Sequence, residues 1–374
     1  MGKKDDDYKV TEHQLFISPL SLWWKLCRQN KIASDKRWMA FKITLFVLIS
    51  ALFRGIQNLY LRRKLKQINL NDKPPVFVLG HWRSGTTHLH YILSQDDRFS
   101  HLTSFQAFFF NVAFVSKRIM KPVLRYAMPK TRPQDNVKID EESPQEEEHP
   151  LVNTTHRSGM HTFFFPKNIS YFNKYNLFQG VEESEKEVWK KEYYSLLQHI
   201  ALFNGLDRRL LLKNPHNTAR LDVLSELFPE SKFIFIHRNP YDVYSSMRIL
   251  YDKAIKSQFL QDFSDDEIHE RILYTYESVL KGYLQQKQTI GVNLEEVSYR
   301  ELTDDPIGTI ERVYSKLELG GFEEALPNIE QYLNSVRGFS KNAKPKLPNE
   351  IIREINERWS FAFEEWGYTK SKLD

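Results

Sequence analysis

The run Val76-Phe-Val-Leu-Gly-His-Trp-Arg-Ser-Gly-Thr-Thr87 constrains this chain more than any other. Four apolar residues lead into a loop bounded by Gly80 and Gly85, and two threonines come directly after it, so the run reads as a strand, a tight turn and a helix start. The Gly-x-x-x-x-Gly spacing belongs to loops whose successive N–H groups point at an anion. A triphosphate-binding loop would continue with Lys; Thr86 stands there, and the nearest cation, Arg83, lies inside the loop. That suits a 5′-phosphate or phosphosulfate better than a triphosphate.

A second segment repeats the choice. Lys232-Phe-Ile-Phe-Ile-His237 is a β-rich run followed by Arg238-Asn-Pro240, and Ser246 stands eight residues after Arg238. A triphosphatase strand would end here in an aspartate that organises Mg²⁺; an arginine and a hydroxyl near a proline-started helix suit another anion instead. Two anion sites and no metal site are expected.

Both segments resemble the cofactor motifs of the sulfotransferases that use 3′-phosphoadenosine 5′-phosphosulfate (PAPS). The first is similar to their 5′-phosphosulfate loop and the second to their 3′-phosphate motif. Leu210-Leu-Leu-Lys213-Asn-Pro-His-Asn-Thr-Ala-Arg220, Ser143-Pro-Gln-Glu-Glu-Glu148, Val297-Ser-Tyr299-Arg-Glu-Leu302 and Glu364-Glu-Trp366-Gly-Tyr368 are similar to patterns of the bacterial branch. The resemblance covers roughly residues 74 to 368, with a loop of the bacterial and tyrosylprotein type because Arg83 replaces the Lys of cytosolic members and His88 their Trp. It implies PAPS as co-substrate, PAP as product and no metal. It also implies that Arg83, Ser84, Gly85, Thr86, Thr87, Arg238, Ser246 and Tyr299 bind the nucleotide, joined by Lys341 or Lys344 from the basic stretch Arg337–Lys346.

Sulfuryl transfer needs cations where the bisphosphate leaves and a base where the acceptor enters. Arg83 and the backbone N–H groups from Ser84 to Thr87 suit the leaving side. Lys213, at the end of an apolar run, matches a lysine that contacts the sulfuryl group in tyrosylprotein-type enzymes; the other reading is a lysine ending an exposed strand. Glu146 and Glu148 are the carboxylates expected to orient or deprotonate an acceptor. Ser143 and Pro144 can equally start a helix with Glu146 as capping partner, and His149, His156 and His161 are rival bases.

Apolar β-rich runs at 75–80, 209–213, 232–237 and 292–299 alternate with helix-compatible segments, which predicts an α/β, P-loop-like three-layer fold with a central parallel sheet. Residues 1–70 read as a helical, basic and apolar extension, and 71–374 as the catalytic domain, with a mostly helical insertion at about 100–205. Ile43–Phe53 is a concentrated apolar stretch, shorter than the roughly 20 residues a spanning helix needs, although counting from Trp38 to Ile56 brings it close. Lys25, Arg28, Lys31, Lys36 and Arg37 precede it, and Arg62, Arg63, Lys64 and Lys66 lie beyond it. That pattern predicts peripheral contact of residues 38–56 with an anionic membrane surface; the alternatives are a buried helix, a homodimer contact or a true span.

The charged N-terminus lacks the plan of a signal peptide. Cys27 is the single cysteine, so no intramolecular disulfide is available, and a cytoplasmic location at the inner face of the membrane is expected. An excess of 53 basic over 48 acidic residues is too small to indicate nucleic acid as a partner. Phe105, Phe108, Phe109, Phe110 and Phe114, and Phe163–Phe165 with Tyr171 and Phe172, are either core or the lining of an acceptor pocket. With the apolar N-terminus they favour a hydrophobic alcohol, a sterol or lipid, with a glycan as the other candidate. A kinase-like phosphotransferase and a non-catalytic nucleotide-binding scaffold are the alternative functions.

Overall fold

The computed structural model describes residues 13–132, 137–337 and 347–372. Five strands, β1 (Val76–Leu79), β2 (Phe99–Ser100), β3 (Arg209–Lys213), β4 (Lys232–His237) and β5 (Leu294–Ser298), form one sheet in the order β2-β3-β1-β4-β5. All its pairings are parallel, with Phe77 in register with Leu212 on one side and Phe233 on the other. The predicted fold class is the observed one.

Both faces of the sheet are buried, which is why β1 is apolar at every position. Alternation sorts its side chains into two cores. Phe77 and Leu79 join Leu210, Leu212, Phe233 and Phe235 beneath the helices Glu183–Asn204 and Asp265–Ile290. Val76 and Val78 join Leu211, Ile234, Ile236 and Val297 beneath Thr86–Leu93 and Pro306–Lys316. The chain leaves β1 toward β3 on one side and returns to β4 on the other, so the loops after β1 and β4 open at the crevice where such sheets hold ligands.

The apolar N-terminal stretch lies in a helix of 29 residues, Arg37–Leu65, about 43 Å long. A single stripe of it is buried: Ile43, Val47, Ser50, Arg54, Gln57 and Leu61. Polar pins hold this stripe down. Gln57 donates to Phe110 O at 2.9 Å and accepts from Phe114 N at 2.8 Å, while Arg54 turns back along its own helix and donates to Val47 O at 3.0 Å. Ile43 and Val47 pack with Leu15, Trp23, Phe164, Phe165 and Phe172. The rest of the helix is turned outward, including Trp38 at 65% exposure and Leu52 at 69%.

Candidate active site

The loop after β1 is held by geometry that only glycine allows at two points. Gly80 has φ +144°, and a Cβ there would meet Ile236 O at 2.4 Å; Gly85 has φ +106°, and a Cβ there would meet Tyr299 Cδ2 at 2.3 Å. Thr218 clamps the loop's start, its hydroxyl accepting from Gly80 N at 3.0 Å and donating to Gly80 O at 3.1 Å. Ser84 N–H donates to His81 O at 3.1 Å, so that amide closes the turn and does not face a ligand as expected. Gly85 then precedes the helix Thr86–Leu93, which carries no side-chain cap.

Because β1, β4 and β5 are neighbours, residues far apart in sequence converge on this loop. Arg83, itself at φ +71°, donates from Nε to Ser246 Oγ at 2.8 Å. Arg238 donates from Nη1 to Arg83 O at 3.1 Å, lies 4.3 Å over the Tyr299 ring and stands 3.5 Å from Asp242 Oδ2. Tyr299 closes against Gly85. Next to Arg238, His237 Nδ1 is 2.8 Å from Tyr368 Oη and its ring stacks on Trp366, so the C-terminal motif braces the end of β4.

Lys213, at the end of β3, is 2% exposed; it donates to Glu146 Oε1 at 2.6 Å and lies 3.5 Å from Thr87 Oγ1. Burial lowers the ammonium's pKa, and the Glu146 carboxylate opposes that shift. Burial alone would raise the Glu146 carboxyl, but Lys213 and His149 bring it below its usual range.

The three consecutive glutamates have three different environments. Glu147 is sealed in; burial raises its carboxyl to about 7, although Tyr193 Oη at 2.8 Å and Asn217 Nδ2 at 2.7 Å donate to one oxygen. Glu148, expected on the acceptor side, is instead fully buried in a scaffold pair. It accepts from Arg220 at 2.8 and 3.1 Å, Asn214 at 2.8 Å and Ser158 at 2.7 Å. Burial pushes this carboxyl up, and the Arg220 guanidinium more than reverses that.

The rival histidines are also tied down. His156 Nε2 lies 2.8 Å from Lys25 Nζ, and burial with that cation lowers the ring to about 3. His161 Nε2 is 2.9 Å from Thr155 O, and burial lowers it to about 4. His149 is half-buried, its pKa lowered by desolvation of the ring, and it shares the field of Glu146 and Lys213. Of the aromatic patches, Phe105 and Phe110 are core, as are Phe164, Phe165 and Phe172, while Phe108 is exposed and Phe163 reaches a cavity beside Trp82. Lys341 and Lys344 lie outside the described residues.

Sequence reasoning assigned no role to Thr218, Asn217, Arg220 or His216, all on the turn Pro215–Ala219 or at its end. Their signal was present in the Lys213–Arg220 pattern. Among the described residues no group of three or more His, Cys, Asp or Glu is placed to hold a metal ion.

Known proteins are similar to this chain in sequence and in fold. The model of the "Sulfotransferase family" matches residues 74–324. The omega-hydroxy-beta-dihydromenaquinone-9 sulfotransferases Stf3 of Mycobacterium bovis and Mycobacterium tuberculosis are each 29% identical to this chain over 353 residues, 94% of its length and 90% of theirs. Among solved structures, sulfotransferase STF9 from Mycobacterium avium superposes with a TM-score of 0.65 at 14% identity, covering 95% of this chain and 98% of that one. Sulfotransferase STF1 from Mycobacterium tuberculosis H37Rv gives 0.61 at 17%, covering 92% and 99%. The last two establish a shared fold, and the family match, spanning well over half the chain and containing the glycine loop, Lys213 and the Arg238–Ser246 pair, establishes that this protein belongs to the sulfotransferase family.

Proposed function

We propose that the protein transfers the sulfuryl group of PAPS to a hydroxyl of a hydrophobic alcohol and releases PAP. The observation that carries this reading is the convergence of Arg83, Arg238 and Ser246 on the Gly80–Gly85 loop. Two guanidiniums that follow adjacent strands, and a hydroxyl from the helix Pro240–Leu250, suit a nucleotide with phosphates at both its 5′ and 3′ positions. The loop's glycines permit the close backbone approach that a 5′-phosphosulfate requires.

PAPS supplies the sulfuryl group, and the chain's own residues position and stabilise. Arg83 and the N–H groups at the start of Thr86–Leu93 take the charge that grows on the leaving oxygen. Lys213 adds a buried cation whose direction is fixed by the Glu146 carboxylate at 2.6 Å. Tyr299 covers the loop at Gly85. Ser84 supports the turn through its amide.

Two observations support a lipid acceptor. The Stf3 relatives are named for a hydroxylated menaquinone, and the outward face of Arg37–Leu65 is apolar, with Arg62, Arg63 and Lys64 in its last turn. We place the protein at the cytoplasmic face of a membrane, in contact through residues 38–56.

Isothermal titration with PAP, using ATP as the control and no added metal, tests the central reading. Binding of PAP and not ATP is expected, weakened about 10- to 100-fold in Arg238→Ala for the loss of a charge-assisted contact. Absence of PAP binding by the unaltered protein would refute it.

A further inference from the structure

Beside Trp82 of the Gly80–Gly85 loop lies a cavity lined by none of the residues assigned above to the nucleotide. Trp82, Phe163, Asn173, Asn176, His216, Tyr251, Arg271 and Thr275 help to line it. Its position ties it to the loop: Trp82 precedes Arg83, and Met247, also in the lining, comes directly after Ser246, while Arg83 and Ser246 are joined at 2.8 Å. His216 lies three residues beyond Lys213.

Four polar atoms of the lining are buried and have no hydrogen-bond partner among the described residues: Trp82 Nε1, Asn173 Nδ2, Arg271 Nε and His216 Nε2. Each belongs to a side chain more than nine-tenths buried. Such atoms are rare because each forfeits a hydrogen bond it had in water. Arg271 is the extreme case. It is 5% exposed, donates from Nη1 to Thr162 O at 2.8 Å, shares a hydrogen bond with Tyr251, and forms no salt bridge among the described residues.

The hydrogen-bond chain fixes the chemistry of the set. Asn176 Nδ2 donates to Asn173 Oδ1 at 2.8 Å, which leaves Asn176 Oδ1 as the partner of His216 Nδ1 at 2.8 Å. His216 Nδ1 therefore carries the proton, and Nε2 presents a lone pair to the cavity. Gly159 makes this arrangement possible, since a Cβ there would fall 1.7 Å from Asn176 Oδ1.

The cavity thus offers N–H donors from Trp82, Asn173 and Arg271, and one acceptor from His216. An anion would meet the His216 lone pair, and a cation would meet Arg271. A hydroxyl both accepts and donates. The free space, about 10 Å³ for the centre of a water-sized atom, holds one oxygen. Phe163 and Thr275 are the half-buried members of the lining, so the cavity is least enclosed beside them. Phe163 also packs against the N-terminal cluster that includes Ile43 and Val47, linking the cavity to the helix with the exposed apolar face.

We propose that this cavity is the seat of the acceptor's hydroxyl, which donates to His216 Nε2 and accepts from Trp82, Asn173 or Arg271. The proposal rests on the sulfotransferase reading and names the residues that hold its acceptor. It leaves Glu146 committed to Lys213 and makes His216 and Arg271 determinants of which alcohols bind.

The test is a crystal structure of the full chain with PAP and 1-decanol, joined to titration of 1-decanol into the PAP complex of the unaltered protein, H216Q and R271M. The decanol oxygen is expected within hydrogen-bond distance of His216 Nε2, and both variants are expected to bind decanol about tenfold more weakly while PAP affinity changes less than twofold. A cavity that holds only water, with decanol elsewhere or absent, overturns the proposal, as does decanol affinity unchanged in both variants. Failure of the unaltered protein to bind PAP overturns the cofactor reading instead; the decanol density still decides the cavity.

Discussion

Replacing Glu148 with Gln separates scaffold from chemistry within the acidic turn. In the native chain this carboxylate accepts four hydrogen bonds, two of them from an Arg220 that is fully buried. Gln keeps the shape, removes the charge and turns an N–H₂ toward donors. Arg220 would keep Tyr175 O at 2.8 Å, Asn217 Oδ1 at 2.9 Å and the Trp189 ring at 5.0 Å, none of which neutralises it. Breaking a buried pair from one side costs about 3–5 kcal/mol. An unfolding entropy of about 2.1 cal/mol/K per residue gives roughly 0.8 kcal/mol/K for 374 residues, so the midpoint should fall by about 4–6 °C. Differential scanning fluorimetry at fixed scan rate and pH 7.5 measures it, with PAP titration of the folded variant as the parallel assay; PAP affinity should stay within twofold. The pH dependence has a definite sign. The folded carboxyl lies below its unfolded value of about 4.3, so its contribution is complete above that pH and is lost as pH falls through the folded value. The gap between Glu148→Gln and the native chain should therefore be constant at neutral pH and close in acid. An unchanged midpoint together with lost turnover would refute this reasoning and place Glu148 in the chemistry.

Gly85→Ala drives a methyl group against the Tyr299 ring at a backbone angle alanine resists, and should weaken PAP binding by about tenfold or more in the same titration. Glu147 shifts the opposite way from Glu148. Its folded value of about 7 exceeds the unfolded value near 4.3, so its stabilisation is complete below about 4.3 and declines as pH rises to about 7; Glu147→Gln should flatten the urea midpoint across that window, and an unaltered slope would exclude it as the titrating group. Flotation with vesicles of phosphatidylcholine and phosphatidylglycerol should carry the protein upward, and Leu52→Glu with Ile56→Glu should abolish that while leaving PAP binding intact. If the unaltered protein stays with the soluble fraction at low salt, the outward face of Arg37–Leu65 meets something other than lipid.

The strands were legible because a parallel sheet buried on both faces demands continuous apolar runs, and β1, β3 and β4 have them. The two-residue β2 has no such run, so only its pairing to Arg209 and Leu210 reveals it. The long helix was legible as apolar, but not its buried side. Three of the six buried residues in its stripe are Ser50, Arg54 and Gln57, chosen for hydrogen bonds rather than hydropathy, so periodicity points the wrong way. At the site, the glycines and arginines declared themselves by spacing. The Arg83–Ser246 bond joins positions 163 residues apart and arises from the adjacency of β1 and β4. His216 stood inside the Lys213–Arg220 pattern, but nothing in the spacing separated it from its neighbours; the orphaned nitrogen in the folded chain does.

Glu146, Glu147 and Glu148 are identical letters whose meaning depends wholly on position. One faces Lys213 at the end of β3, one tends to keep its proton, and one is locked to a guanidinium. A one-residue deletion between Ser143 and Glu146 would slide the run by one place: glutamates would still fill the Lys213 slot and the sealed slot, but His149 would stand opposite Arg220 and leave a buried guanidinium without its carboxylate. The turn is therefore a reading frame in miniature, able to absorb a change of residue at one position far more readily than any change in its length.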